Sequence, residues 1–141
     1  MSSWGHRTFE DDIALDWLED LYESEPLAFF RHCLDLTDQE ELSFLASIGV
    51  VCTSEMIHSI LSEPRSGMPE AARVWVADQE DIEIALRGLI PDAIEALDRV
   101  LCPSSEMTIR WQDAGETHYG TWYGEVESLK NQLSLIAVGG G

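Results

Sequence analysis

Apolar residues recur at helical spacing along most of the chain, and this pattern predicts the elements of the fold. From Asp12 to Glu23, apolar side chains take one side of a helix and carboxylates take the other. The apolar positions are Ile13, Ala14, Trp17, Leu18 and Leu21. Pro26 suits the first turn of a second helix over about 26–36, because the first N–H groups of a helix have no partner within it. We therefore expect two short helices at the start of the fold.

A longer apolar segment predicts a third helix that ends near Leu61. Thr37 and Glu40 have the spacing of a capping box, in which each side chain accepts a hydrogen bond from the other residue's backbone N–H. Gly49 costs about 1 kcal/mol relative to alanine inside a helix, so it marks either a close helix crossing or a break. The apolar residues of this segment are Leu42, Leu45, Ile48, Cys52, Met56, Ile57 and Ile60.

Prolines and a glycine shape the prediction for the next segments. Pro69 can open a short helix that continues through Trp75. The helical period continues over 79–101, where Gly88 and Pro91 interrupt it. We expect either one kinked helix or two consecutive helices there.

The segment near 107–123 permits two interpretations. Its β-branched and aromatic residues, split by a short turn that ends at Gly115, fit a β-hairpin. Against this, Ser104 or Ser105 can cap a helix, and Gly115 suits the C-terminal cap of that helix. We favour the helix, followed by a last helix whose apolar positions are Trp122, Val126, Leu129 and Leu133.

The fold class that follows is all-α. We predict a single domain over residues 1–138, an irregular or orthogonal bundle of about five to seven helices, with a disordered glycine tail over 139–141. A chain of 141 residues is long enough to bury a self-sufficient apolar core. The β-hairpin near 107–123 is the alternative.

Composition narrows the classes of partner. The chain has 27 acidic and 8 basic side chains, which give a formal net charge of -19. This charge disfavours nucleic acids, whose binding needs Lys and Arg against phosphates, and it disfavours anionic membrane surfaces. It favours cations or a basic protein as partners. We expect a cytoplasmic protein, because the first ten residues lack the basic and apolar regions of a secretory signal.

Candidate chemistry is sparse. Glu10, Asp12 and Asp16 are weak candidates for a metal site, since hard cations take several oxygen ligands, although the same residues fit a solvated helix face. The cysteines are odd in number and widely spaced, which predicts buried reduced thiols rather than disulfides. These are Cys33, Cys52 and Cys102. No histidine cluster, phosphate-binding loop or nucleophile motif occurs, so we expect no cofactor and lean against an enzyme.

The five tryptophans are many for this length, and aromatic side chains supply either core area or interface anchors. Trp4, beside Gly5, either fixes the N-terminal arm to the bundle or stays exposed for a partner. We predict that Trp4, Phe9 and Trp17 together form an N-terminal anchor or interaction site.

The N-terminal cassette and several later segments together resemble a known family. The cassette is Trp4-Gly5 followed by Phe9-Glu10-Asp11-Asp12, Ala14, Asp16 and Trp17. Looser matches lie near 47–51, over 69–75, and from Ser105 through Trp111 and Gly115 to Leu133. The chain resembles the bacterial domain-of-unknown-function family 4259 over most of its length. The resemblance implies a small, mostly helical bacterial domain, and it implies no activity, substrate or catalytic residue.

The function we expect is a non-catalytic intracellular interaction module whose acidic surface meets a basic protein, for instance as a neutraliser of that protein. One alternative is a metal-dependent hydrolase or lyase that uses carboxylates of the N-terminal region. A second alternative is a structural homodimer joined by apolar helix faces.

Overall fold

The computed structural model describes residues 12–36, 42–65 and 67–139, and every regular element within these ranges is an α-helix. In chain order the helices are α1 (Asp12–Tyr22), α2 (Pro26–Asp35), α3 (Phe44–Leu61), α4 (Glu70–Ala77), α5 (Glu83–Leu101), α6 (Glu106–Asp113) and α7 (Glu116–Gly139). The predicted all-α bundle is therefore confirmed. The alternative hairpin near 107–123 is wrong, because α6 and the first part of α7 occupy those residues.

Local capping chemistry explains where α2 and α6 begin. The Glu25 carboxylate accepts a hydrogen bond of 2.6 Å from the backbone N–H of Ala28, and Pro26 fills the first helical turn of α2. The side chain of Ser105 caps α6 in the same manner. Gly115 has a φ of +116°, a conformation that favours glycine, and it separates α6 from α7. The start of α2 at Pro26, the cap at Ser105 and the stop at Gly115 agree with the sequence prediction, whereas the Glu25 cap was not predicted.

The capping signal that starts α3 is Ser43 rather than Thr37. The Ser43 hydroxyl oxygen accepts a hydrogen bond of 3.1 Å from the backbone N–H of Ala46. Thr37 and Glu40 lie outside the described residues, so their predicted capping box stays a prediction. α3 therefore begins at Phe44, later in the chain than the predicted capping box implies, and Ser43 was not predicted as its cap.

α3 is the central helix, because it contacts all six other helices of the described ranges. Almost every side chain from Ala46 to Ser59 is buried. Leu45, near the start of the helix, is exposed, whereas the polar residues Glu55 and His58 are buried. α3 is long and apolar enough to cross a membrane, but 83% of it is buried by the rest of the chain. The core helix of a globular protein can have the same length and composition.

Trp17 joins α1 to α2 and to the middle of α3. Its indole Nε1 donates a hydrogen bond to the thiol sulfur of Cys33 at 3.4 Å, and its ring lies 5.3 Å from Phe29 and 6.4 Å from Phe30 between centroids. Gly49 does not break α3; it lies at the crossing with α2, where an added Cβ would make an ordinary contact of 3.6 Å with the Cys33 sulfur. Burial raises the pKa of the Cys33 thiol, which keeps it protonated at neutral pH.

The C-terminal half corrects two further predictions. α5 is one helix that runs through Pro91, so the alternative of two consecutive helices is wrong; the proline is exposed, where water can solvate the carbonyl that loses its bond. Cys102 follows α5 as its C-terminal cap and is exposed, contrary to the prediction of a buried thiol. α7 extends to Gly139, and the predicted disordered tail over 139–141 stays a prediction.

Candidate functional site

A polar cavity of about 380 Å³ lies between the C-terminal half of α3, the loop that follows it, and α7. A second cavity of about 320 Å³ shares His58, Glu63 and Gln132 with the first. We call the first one the acidic cavity. Its lining residues are Glu55, His58, Glu63, Pro64, Arg65, Glu125, Ser128 and Gln132.

Helical spacing and a helix stop bring these side chains together. Glu55 and His58 are three residues apart on α3 and therefore share a side of it. α3 stops at Ser62, and Pro64 prevents the helix from continuing, so the chain turns and brings Arg65 back beside α3. On α7, Ser128 and Gln132 lie three and seven positions after Glu125 and therefore share its side of the helix, which forms the second wall of the cavity.

Arg65 connects three elements at the cavity. Its Nη1 donates to Glu55 Oε1 at 2.8 Å, and its Nη2 donates to the carboxylate and the carbonyl oxygen of Glu125 at 3.2 and 3.3 Å. The side chains of Glu55 and Arg65 are 7% and 14% exposed, whereas that of Glu125 is 37% exposed. The pair between Arg65 and Glu55 is thus a buried ion pair, and the contact with Glu125 lies at its solvent edge.

His58 is buried beside this ion pair, with only 5% of the residue exposed. Burial lowers the pKa of the imidazole, and the positive charge of Arg65 lowers it further, while a hydrogen bond with the backbone of Glu63 acts in the opposite direction. The ring is therefore neutral at physiological pH. Its Nδ1 has no hydrogen-bond partner among the described side chains and backbone groups.

The charges of the acidic cavity do not cancel. Three carboxylates, on Glu55, Glu63 and Glu125, face one guanidinium and a neutral imidazole, so the formal charge of the lining is -2. Within the described ranges, no group of three or more His, Cys, Asp or Glu residues is placed to hold a metal ion. The arrangement is suited to hold a positively charged group by charge and hydrogen bonds.

The predicted N-terminal site residues are only partly within the structure. Glu10, Trp4 and Phe9 lie outside the described residues, so their predicted roles stay predictions. Asp12 and Asp16 are exposed on α1. Trp17 lies in the core and not on the surface.

Exposed carboxylates form a stripe along α1, which we call the acidic face. At about 100° per residue they fall within an arc of about 100°, and they extend over about 16 Å. They are Asp12, Asp16, Glu19, Asp20 and Glu23, of which Glu23 directly follows the helix. None of them belongs to an ion pair within the described ranges.

Sequence reasoning missed the acidic cavity. A weak signal existed, because Glu55 and His58 are ionisable residues in the middle of an otherwise apolar helix. Their partners could not be inferred, since Arg65 and Glu125 are separated by 60 residues and meet only in the folded chain.

The comparisons with known proteins assign a family and no activity. No curated protein and no solved structure matches the chain. A family model described as a domain of unknown function, DUF4259, matches residues 2–125, which include α1 to α6 and the Arg65 ion pairs. The resemblance seen in the sequence is thereby confirmed, and the chain belongs to the DUF4259 family.

Proposed function

We propose that the protein is a non-catalytic intracellular interaction module that binds a basic protein through the acidic face of α1. The observation that carries the proposal is the alignment of five exposed carboxylates on one side of this helix, without a cation paired to them in the described ranges. Such a face attracts basic surfaces and speeds their encounter.

The acidic face lowers the stability of the protein when no partner is bound. Three like-charged pairs stand four residues apart, and each costs about 0.2 to 0.5 kcal/mol, or about 1 kcal/mol together. α1 also has no basic residue in its last turn, where cations would stabilise a helix. A basic partner would remove this repulsion, so the arrangement is better explained by binding than by folding.

Apolar side chains border the acidic face on both sides. Ile13 and Leu15 are both exposed, and helical geometry places them on opposite flanks of the carboxylates. Ala14, Trp17, Leu18 and Leu21 of α1 are buried in the core, and Tyr22 is half-buried. A charged centre with apolar flanks would give a partner both an electrostatic attraction and surface to remove from water.

The test is to neutralise the acidic face and compare it with a control of equal charge change. The variant Asp16→Asn/Asp20→Asn alters the face, and Asp78→Asn/Asp113→Asn alters exposed carboxylates elsewhere. Proteins that the wild type and the control both capture from cell extract should bind the α1 variant at least about fivefold more weakly than they bind the wild type. Their capture should also weaken from low to physiological salt. Equal capture by both variants, or capture indifferent to salt, would refute the proposal.

A further inference from the structure

The acidic cavity is a second anionic feature, and no residue of α1 lines it. From its geometry we infer that this cavity binds an organic cation, an ammonium or guanidinium group, in contact with Glu63, Glu125 and His58. The inference concerns a site on α3 and α7 and does not depend on the acidic face of α1.

The charge balance of the lining selects the sign of the ligand. Arg65 already holds two carboxylates, at 2.8 and 3.2 Å, so its guanidinium is occupied by groups of the protein. Glu63 forms no ion pair within the described ranges and lines both cavities. An anionic ligand would add to a formal charge of -2, whereas a cation compensates it, and the partly enclosed walls strengthen that attraction.

His58 supplies the second, independent reason. This buried side chain lines both cavities, and its Nδ1 has no partner among the described groups. A neutral imidazole can accept a hydrogen bond from a ligand N–H. Buried polar groups are normally hydrogen-bonded, so a buried and unpaired ring nitrogen on a side chain that lines the cavity points to a donor that the described part of the chain does not supply.

The size of the site and the kind of acceptors identify the class of cation. A volume of about 380 Å³ falls in the lower part of the range for small-molecule sites, which begins at about 300 Å³. No cluster of three potential metal ligands is present in the described ranges. Carboxylates, an imidazole nitrogen and the amide of Gln132 are suited to the several N–H donors of an ammonium or guanidinium group.

The test is an NMR titration of the full chain with butylammonium chloride, with butanol and sodium butyrate as neutral and anionic probes of the same length. We expect butylammonium alone to shift the imidazole resonances of His58 and the backbone resonances of Glu63 and Gln132. A peptide with a single lysine and blocked ends forms a second arm. If butylammonium and the lysine peptide both bind, the site is supported and a protein side chain is identified as the source of its cation. If butylammonium binds and the peptide does not, the ligand is a small amine.

Variants with equal charge change separate a site from general attraction. Glu63→Gln should weaken butylammonium binding about twofold to fivefold, because one exposed charge is lost. Glu127→Gln, on α7 but not in the lining, should leave binding unchanged. No shift at 20 mM (roughly the upper limit of weak specific binding), shifts spread over the whole surface, or equal weakening by both variants would overturn the inference. Each variant's own spectrum shows whether it is folded, and Glu125→Gln replaces Glu63→Gln if that variant is not.

Discussion

Replacement of Arg65 by methionine tests the framework of the acidic cavity. The substitution removes the cation that lies 2.8 Å from Glu55 while it keeps a long, unbranched side chain. Removal of one partner of a buried ion pair costs about 3 to 5 kcal/mol, because the remaining charge is poorly solvated. We expect the lower end, about 3 kcal/mol, since both side chains retain some exposure. For a chain of this length that loss lowers Tm by about 6 to 12 °C.

The ion pair between Arg65 and Glu125 should contribute much less to the free energy of unfolding. Glu125 is 37% exposed, and exposed ion pairs contribute about 0.2 to 1 kcal/mol, so Glu125→Gln should cost less than about 1 kcal/mol. Lys130→Met is the matched control, because it also replaces a cation by methionine. Lys130 contacts Asp98 at 2.7 Å on the surface between α7 and α5, and its loss should again cost less than about 1 kcal/mol.

A double-mutant cycle on the buried pair measures the coupling directly. Urea unfolding of the wild type, Arg65→Met, Glu55→Met and the double variant gives four free energies of unfolding. Replacement of both charges by apolar side chains is often neutral or stabilising, so the double variant should be more stable than Arg65→Met alone. The expected coupling is about 2 kcal/mol or more. A loss below about 1 kcal/mol in Arg65→Met, or a double variant whose loss equals the sum of the single losses, would refute the reasoning.

Three further substitutions test other parts of the structure. Burial above all holds the pKa of His58 below its ordinary value of 6.5, so the unfolded chain takes up the proton first. Stability should therefore be full above pH 6.5 and fall below it, by at most about 1.4 kcal/mol per pH unit. In urea unfolding from pH 7 to 5 (roughly the range in which histidine titrates), His58→Gln should reduce this slope, and a slope equal to that of the wild type would contradict the prediction. Leu133→Ala should lower the free energy of unfolding by about 2 to 5 kcal/mol because the residue is fully buried, whereas exposed Leu135→Ala should lower it by less than about 0.5 kcal/mol. Equal losses in urea denaturation would show that the buried side of α7 is not the one described here. Gly49→Ala should raise the free energy of unfolding by up to about 1 kcal/mol, since the added Cβ makes only ordinary contacts, and a loss of stability would show that the crossing is closer than it is here.

The sequence was informative wherever structure depends on neighbours in the chain. The bounds of α1 and α2 follow from apolar spacing and from Pro26, and the junction of α6 and α7 follows from Ser105 and Gly115. These signals act over three or four residues, so they can be evaluated without the fold. Net charge needs no geometry because it is a sum over the sequence, but the basic partner that it favours stays a prediction.

The central position of α3 could not be predicted in this manner. Apolar residues occur on all sides of this helix, so the pattern alone does not show that Leu45 is exposed while Glu55 and His58 are buried. Which side faces which neighbour depends on six other helices, and their packing is not encoded in a local period. The same limit hid the acidic cavity, whose ion pairs join residues 10 and 60 positions apart.

The position of Glu55 in the central helix is hard to explain by stability alone. A buried ion pair is often no better than apolar side chains of similar volume, because the removal of two charges from water offsets their attraction. Arg65 nevertheless holds Glu55 and also contacts α7 through Glu125, which fixes the loop after α3 against that helix. The result is a wall with fixed charges and a net negative lining beside His58. Charged side chains that lower stability and converge on one cavity are expected where they serve to bind a ligand rather than to stabilise the core.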